Sequence, residues 1–351
     1  MVGRGRSRRK KKGLGAAGVL FGLFLIALLG AAAVAWLVVV PAGPEGETFV
    51  EIAPGSSSGQ MAMQLERAGV IRSRYGFDLV RLWKRGVLKA GEYRFDHAVP
   101  VTEVYARLAR GDVFTLPVTI PEGATRFEIA ARVEQAGLVD KESFLAATIK
   151  ETPLIADLDP QARSLEGYLF PDTYRFPRKA TAAQIVAAMV RRFRTITTQI
   201  GLRNGNDSRG VHAVVTLASL VERETAQNAE RPLVASVLTN RLAKRMPLMT
   251  DPAVIYGLQI VGKWRGTIYQ SDLAYDTPYN TYRHPGLPPG PIANPGLPSL
   301  RAALEPASTD YLYFVAAGAD PHGQSRFAAT LDEHNRNVAS YRKSVKQAGG
   351  H

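Results

Sequence analysis

The sequence predicts an α+β protein built as a single N-terminal transmembrane helix, a small α/β module and a larger mixed α/β domain. Three observations carry this. Residues 14–40 run without a charged side chain, and a strand, glycine, helix, glycine pattern occurs twice at an offset of 68. Residues 211–225, VHAVVTLASLVERET, form a helix too apolar to lie on a surface.

The tail ahead of the apolar run holds Arg4, Arg6, Arg8, Arg9, Lys10, Lys11 and Lys12, seven cations that make up more than half of the net charge of +13. A basic cluster before a span keeps the N-terminus in the cytoplasm and sends the rest of the chain across the membrane. The run exceeds the roughly 20 residues that cross a bilayer and the roughly 7–15 of a signal-peptide apolar region. Ala31-Ala32-Ala33 is where a peptidase would cut if the run were a leader. The expected layout is a cytoplasmic tail (1–13), a transmembrane helix (14–40), a Pro/Gly linker (41–47), a first module (48–116), a second related module or connector (117–180) and a terminal domain (181–347).

Residues 48–53 alternate as a strand does. Gly55, Met61, Ala62, Leu65, Glu66, Ala68, Gly69, Val70 and Ile71 match Gly123, Ile129, Ala130, Val133, Glu134, Ala136, Gly137, Leu138 and Val139, and Tyr93-Arg94-Phe95 returns as Tyr174-Arg175-Phe176. Two related α/β modules in tandem explain this most simply. Phe77, Trp83 and Tyr93 have faces that stack on sugar rings, yet at this spacing they read as core. Residues 164–176, SLEGYLFPDTYRF, read as an extended stretch. An amphipathic helix over 181–200 comes next, with Ile185, Val186, Met189, Val190 and Phe193 on one face.

In the helix over 211–225, Val211, Ala213, Val214, Val215, Leu217, Ala218, Leu220 and Val221 fill more than half of the circumference. It ends in Glu222 and Glu224. A carboxyl carried into a core is costly, which makes each a candidate for pairing or for chemistry. Two positions apart is roughly 200° around a helix, so both cannot face one site. Periodicity does not choose between them. Beyond, Pro232 opens a helix with Leu233, Val234, Val237, Leu238 and Leu242 as its apolar face. Thr250-Asp251-Pro252 caps a short helix through Tyr256. Residues 284–298, HPGLPPGPIANPGLP, come after a Tyr/Asn cluster and read as a rigid loop walling a cleft rather than a linker. A strand over 311–316, a hairpin over 319–324, a strand around 326–328 and a helix over 331–347 close the chain.

The composition excludes several chemistries. With no cysteine there is no disulfide, thiol nucleophile or thiolate metal site. The six His are not paired at ligand spacing, and no phosphate-cradling glycine loop or nucleophile elbow is present, so neither a metal nor a cofactor is expected. The excess charge sits in a tail too short to be a nucleic-acid-binding domain, so no nucleic acid partner is expected.

The segments LASLVERETA, ASVLTNRL, MPLMTDPAVIYGL, YDTPYNTYRHPGLPPGPIANPG and DYLYFVA, in this order and spacing, resemble the endolytic murein transglycosylases of the YceG-like family. GVIRSRYGFDLVRLWKRGVLKAGEYRF resembles the LysM-like domain of some cell-wall proteins. The first resemblance implies an enzyme anchored in the inner membrane, N-terminus cytoplasmic and catalytic part periplasmic. It would cut the β-1,4 bond from N-acetylmuramic acid to N-acetylglucosamine inside peptidoglycan glycan strands and leave a 1,6-anhydro end. It also implies association with a bifunctional penicillin-binding synthase and a role in terminating strands. The family's catalytic glutamate is the second acid of an E-x-E-T motif, which falls on Glu224 here. Asp251, Tyr256, Asn280, Tyr282 and Asn294 are the candidates to hold the sugar, with Glu222 and Thr250 as secondary candidates. Asp251 and Asp272 also have the simpler reading of helix cap or turn. A catalytically inactive peptidoglycan-binding scaffold is the competing function, and the sequence sets no oligomeric state.

Overall fold

The computed structural model describes residues 15–203, 209–320 and 323–348; the basic tail expected over 1–13 lies outside them. The chain divides into two compact units between Thr115 and Leu116.

The first unit opens with α1 (Ala16–Val39), 24 residues with no acidic or basic side chain in its end turns. At about 1.5 Å per residue it is about 36 Å long, enough for a hydrocarbon core of about 30 Å. Its apolar side chains are solvent-exposed from Val19 to Trp36, as expected of a helix with no protein partner over most of its length. Next come β1 (Thr48–Ile52), α2 (Ser58–Arg67), α3 (Arg74–Lys84), β2 (Gly91–Phe95) and α4 (Val101–Arg110). β1 and β2 pair antiparallel with Val50 opposite Tyr93. Their inward residues join Leu65, Phe77, Tyr105 and Leu108 in a separate core. Phe77 and Tyr93 are core, whereas Trp83 is 77% exposed, against the expectation for it.

The second unit begins with β3 (Leu116–Thr119), α5 (Arg126–Gln135), α6 (Lys141–Lys150), a 3-10 turn (Thr152–Ile155) and β4 (Thr173–Phe176). The sequence repeat has a structural counterpart. α2 and α5 both open with a full capping box, on Ser57 and on Thr125. Gly69 and Gly137, at the ends of these helices, take left-handed φ of 70° and 72°. Val118 lies opposite Tyr174 as Val50 lies opposite Tyr93. The strand expected over 164–176 is confined to its last four residues, because Gly167 turns the chain at φ +87°, where an added Cβ would lie 2.5 Å from Pro291.

The rest of this unit is mostly helical: α7 (Ala182–Gln199), α8 (Gly210–Glu224), α9 (Arg231–Ala243), α10 (Asp251–Ile260), the short α11 (Gln270–Leu273) and α12 (Leu297–Leu304). β5 (Tyr313–Ala316) and β6 (Ser325–Ala328) then pair antiparallel, and α13 (Leu331–Ala348) ends the described chain. α8 is the axis of this unit: Val214, Val215, Leu217, Ala218, Leu220 and Val221 are all 2% exposed or less. Each of its large side chains gains roughly 1.5–3 kcal/mol by leaving water. α12, a helix that the Pro/Gly run masks in the sequence, packs along it. One core runs from Val118 through Ala303, so residues 117–180 share their interior with 181–347.

Candidate active site

Glu222 and Glu224 occupy the last turn of α8 and diverge as helix geometry requires. Glu222 turns toward α9, where Arg231 Nη2 donates to Oε1 at 2.9 Å, both side chains being 5% exposed. The Gly296 N–H donates to its Oε2 at 2.9 Å. Burial pushes the Glu222 carboxyl above its usual range, and the Gly296 N–H and Arg231 pull it back. The cation between the two acids, Arg223, is spent on the Gly123 carbonyl at 3.1 Å. The expected ion pair of Glu222 is thus to the neighbouring helix.

Glu224 faces a cavity of about 250 Å³ lined by Val237, Leu238, Arg241, Leu248, Thr250, Asp251, Tyr282, Phe314 and His334, among others. The carboxyl is raised from 4.5 to about 7, first by burial and then by the charge of Asp251, with Arg241 opposing. Arg241 is tied elsewhere: Nε donates to the Leu312 carbonyl at 2.7 Å and Nη1 to that of Leu248 at 2.9 Å. It lends Glu224 a field without an ion pair.

Asp251 begins α10, and its Oδ1 accepts from the Tyr282 hydroxyl at 2.6 Å. Thr250 precedes it, its N–H donating to Thr281 Oγ1 at 2.9 Å. Met249 reaches this wall through a left-handed φ of 55°, a conformation that side chains other than glycine adopt at a cost. Asp251, Tyr282 and Thr250 therefore meet Glu224 in one cavity.

Tyr256, Asn280 and Asn294 do not line it. Asn280 is fully buried: its Nδ2 donates to the carbonyls of Leu273 and Tyr275, and its Oδ1 accepts from Tyr282 N–H. Asn294 is fully buried too, bonded to Ala124, Leu169 and Glu166. Tyr256 is 3% exposed and gives its hydroxyl to Glu166. These three are structural, because fixing irregular backbone requires buried amides and hydroxyls with every hydrogen bond made. Asp272 caps α11 and pairs with Arg265 at 2.9 Å, the turn role that competed for it.

The loop over 284–298 is not a wall of this cavity either. Its backbone straps the length of α8: the Pro289 carbonyl faces His212 Nε2 at 3.2 Å, Ile292 N–H donates to Ser219 Oγ at 3.0 Å, and Gly296 meets Glu222. His212 Nδ1 lies 2.7 Å from Asp159 Oδ2, and this partner raises the imidazole above its ordinary value.

Two notable groups are not visible in the sequence: His334, which lines the cavity, and Glu166, which lies outside it. Glu166 is 2% exposed and raised to about 7 by burial, despite both its oxygens accepting from the Arg126 N–H at 3.0 Å. Its one sequence signal is an acid inside an aromatic, glycine-punctuated stretch. His334 on α13 stacks on Tyr313 with centroids 5.1 Å apart, and its buried Nδ1 has no hydrogen-bond partner. Burial and Arg241 hold its imidazole below the ordinary value. Nothing in the local sequence links α13 to α8.

Comparison with known proteins places the chain in a family. The YceG-like family's sequence profile matches residues 50–340. An endolytic murein transglycosylase of Bacillus subtilis is 35% identical over 314 residues, which cover 85% of this chain and 86% of the relative. A protein of the same name from Streptococcus pneumoniae is 30% identical over 87% of this chain and 60% of its own longer length. The crystal structure of a YceG-like protein from Listeria monocytogenes superposes with a TM-score of 0.53 at 33% identity, covering 84% of this chain and 99% of that one.

Proposed function

The chain belongs to the YceG-like family, and from that membership and the cavity around Glu224 we propose that it is a lytic transglycosylase that cuts murein glycan strands internally. The observation that carries the reading is a carboxyl poised at about 7 on the wall of a polar cavity, at the end of a buried helix.

Such a group is neutral often enough near pH 7 to give a proton and basic enough to take one back. In the proposed reaction, Glu224 protonates the bridging oxygen of the β-1,4 bond from N-acetylmuramic acid to N-acetylglucosamine as the C1–O bond breaks. The muramic 6-hydroxyl adds to C1, and its proton passes to the Glu224 carboxylate. One carboxyl serves both halves, the enzyme is regenerated, and no water is consumed, so the two-carboxylate rule of ordinary glycosidases does not apply. After burial, the charge of Asp251 further favours the protonated Glu224, and Tyr282, held by Asp251, offers the ring edge and hydroxyl for the sugar. Arg241 and Thr250 complete the polar wall.

Digesting purified murein and resolving the products tests this. Muropeptides with 1,6-anhydro ends are expected. Reducing ends would indicate hydrolysis instead, and no release would favour the inactive scaffold, against which the intact Glu224 cavity argues.

We further read α1 as a single inner-membrane span that places the remainder in the periplasm, next to a bifunctional penicillin-binding synthase whose strands it terminates. The first unit, two strands around two helices plus α4, supports the LysM-like reading of that module. A reporter enzyme that works only after export, fused behind His351, should be active; activity of a cytoplasm-only reporter there would reject the orientation.

A further inference from the structure

Beyond Val40, twelve large apolar side chains are exposed among the described residues, and five of them fall between positions 75 and 87: Tyr75, Leu79, Leu82, Trp83 and Val87. Leu82, Trp83 and Val87 are 71%, 77% and 85% exposed. Tyr75, Leu79, Leu82 and Trp83 are spaced to share one face of α3, while Gly76, Phe77 and Val80 on the other face enter the core. A contiguous apolar face of this kind marks an interaction site.

Cations gather at its C-terminal end. Lys84 lies in the last turn of α3 and Arg85 caps it in the left-handed region at φ 47°, while Arg81 of the same turn donates to Ser58 Oγ on α2. Asp78, Arg81, Leu82, Arg85 and Gly86 line a cavity of about 510 Å³ in this unit. Exposed aromatic and aliphatic side chains on one helix face, with cations at its C-terminal end, are the composition of a segment lying in a lipid headgroup layer.

Position supplies the occupant. α3 starts against the last turn of α1: an added Cβ at Gly76 would lie 3.3 Å from the Leu37 carbonyl oxygen. The Arg72 guanidinium lies 4.3 Å over the Trp36 ring and donates to the Pro41 carbonyl at 2.9 Å. Val38 packs on the core of the module. The module is thus clasped to the end of α1, where Trp36 marks the interface depth of a spanning helix. An exposed apolar face so close to the exit of a span meets lipid before any other partner.

We propose that the face of α3 formed by Tyr75, Leu79, Leu82 and Trp83, with Val87, is seated in the bilayer surface on the side where α1 ends, and that Lys84 and Arg85 hold anionic lipid phosphates there. This fixes the height of the module above the membrane. It rests on the reading of α1 as a span.

The chain contains no cysteine, so a single introduced one carries a spin label alone. The full chain, one copy per nanodisc of phosphatidylcholine and phosphatidylglycerol in equal amounts, is labelled in turn at Leu82→Cys, at Leu28→Cys within α1 and at Gln64→Cys, an exposed position on α2. Collision with oxygen, which concentrates in lipid, is compared with collision with a water-soluble nickel chelate. The oxygen-to-nickel ratio at position 82 should be several-fold above that at 64 and below that at 28. Lys84→Glu with Arg85→Glu should lower the ratio at 82 in these discs and leave it unchanged in phosphatidylcholine alone. A ratio at 82 equal to that at 64, with 28 deep, overturns the proposal and leaves the span intact. A label at 82 shielded from both reagents overturns it in favour of a protein partner, and a water-like label at 28 removes the span itself.

Discussion

Replacing Glu224 by Gln keeps the size of the side chain and removes its proton chemistry. With general acid–base catalysis worth roughly 10²–10⁴-fold, release of anhydro-muropeptides should fall by at least about that factor. The same substitution should stabilise the fold, and the structure sets the scale. A carboxyl ordinarily at 4.5 is held at about 7. At about 1.4 kcal/mol per pH unit, ionising it in the native state costs about 3 kcal/mol. The sign comes from proton uptake: the native state binds this proton more tightly than the unfolded chain. The stability contributed by a neutral Glu224 is therefore complete below pH 4.5, is lost as pH rises through about 7, and stays lost above. An amide has no such penalty but needs hydrogen-bond partners of its own, so about 1–3 kcal/mol should remain as a gain. For a unit of this size that is a rise in Tm of a few to about 10 °C at pH 8, shrinking toward zero at pH 4. Calorimetry of both proteins from pH 4 to pH 8, beside murein digestion, measures all of this. Wild-type turnover in Glu224→Gln, or a stability difference that does not change with pH, would refute the assignment.

Glu222→Gln should behave oppositely: it leaves the buried Arg231 with only Glu122, at 3.6 Å, as an acidic partner, so stability should drop by about 3 kcal/mol, while turnover per folded molecule stays near wild type; an inactive but stable Glu222→Gln would place the acid on the wrong edge of α8. Asp251→Asn removes the charge that lifts Glu224, so the alkaline limb of the pH–rate profile should move to lower pH, and an unmoved limb would show that Asp251 does not act on the acid. Replacing Pro288-Pro289 by Ala-Ala should act on the strap along α8, costing about 1–2 kcal/mol through unfolded-state freedom with the pH–rate profile unchanged; a changed profile would return the loop to the cavity wall.

Periodic and local features were legible in the chain alone. The uncharged run of α1, the capped and glycine-stopped helices of the repeat, and the apolar circumference of α8 are short-range patterns, and each became the element it implied. The same patterns put two acids at the end of α8 and required them to diverge. Which acid is paired depends on α9 and Gly296, distant in the chain, and so emerges only once the helices are packed. The sugar-holding candidates divide for the same reason: Tyr282 and Asn280 sit two residues apart in one loop, yet one opens on the cavity and the other is sealed by backbone carbonyls. Arg241 and His334 reach the Glu224 cavity from α9 and α13, and Glu166 meets Asn294 across more than a hundred residues. A carboxyl's proton affinity is set by the charges and dielectric around it, which are properties of the assembled core and not of any stretch of chain.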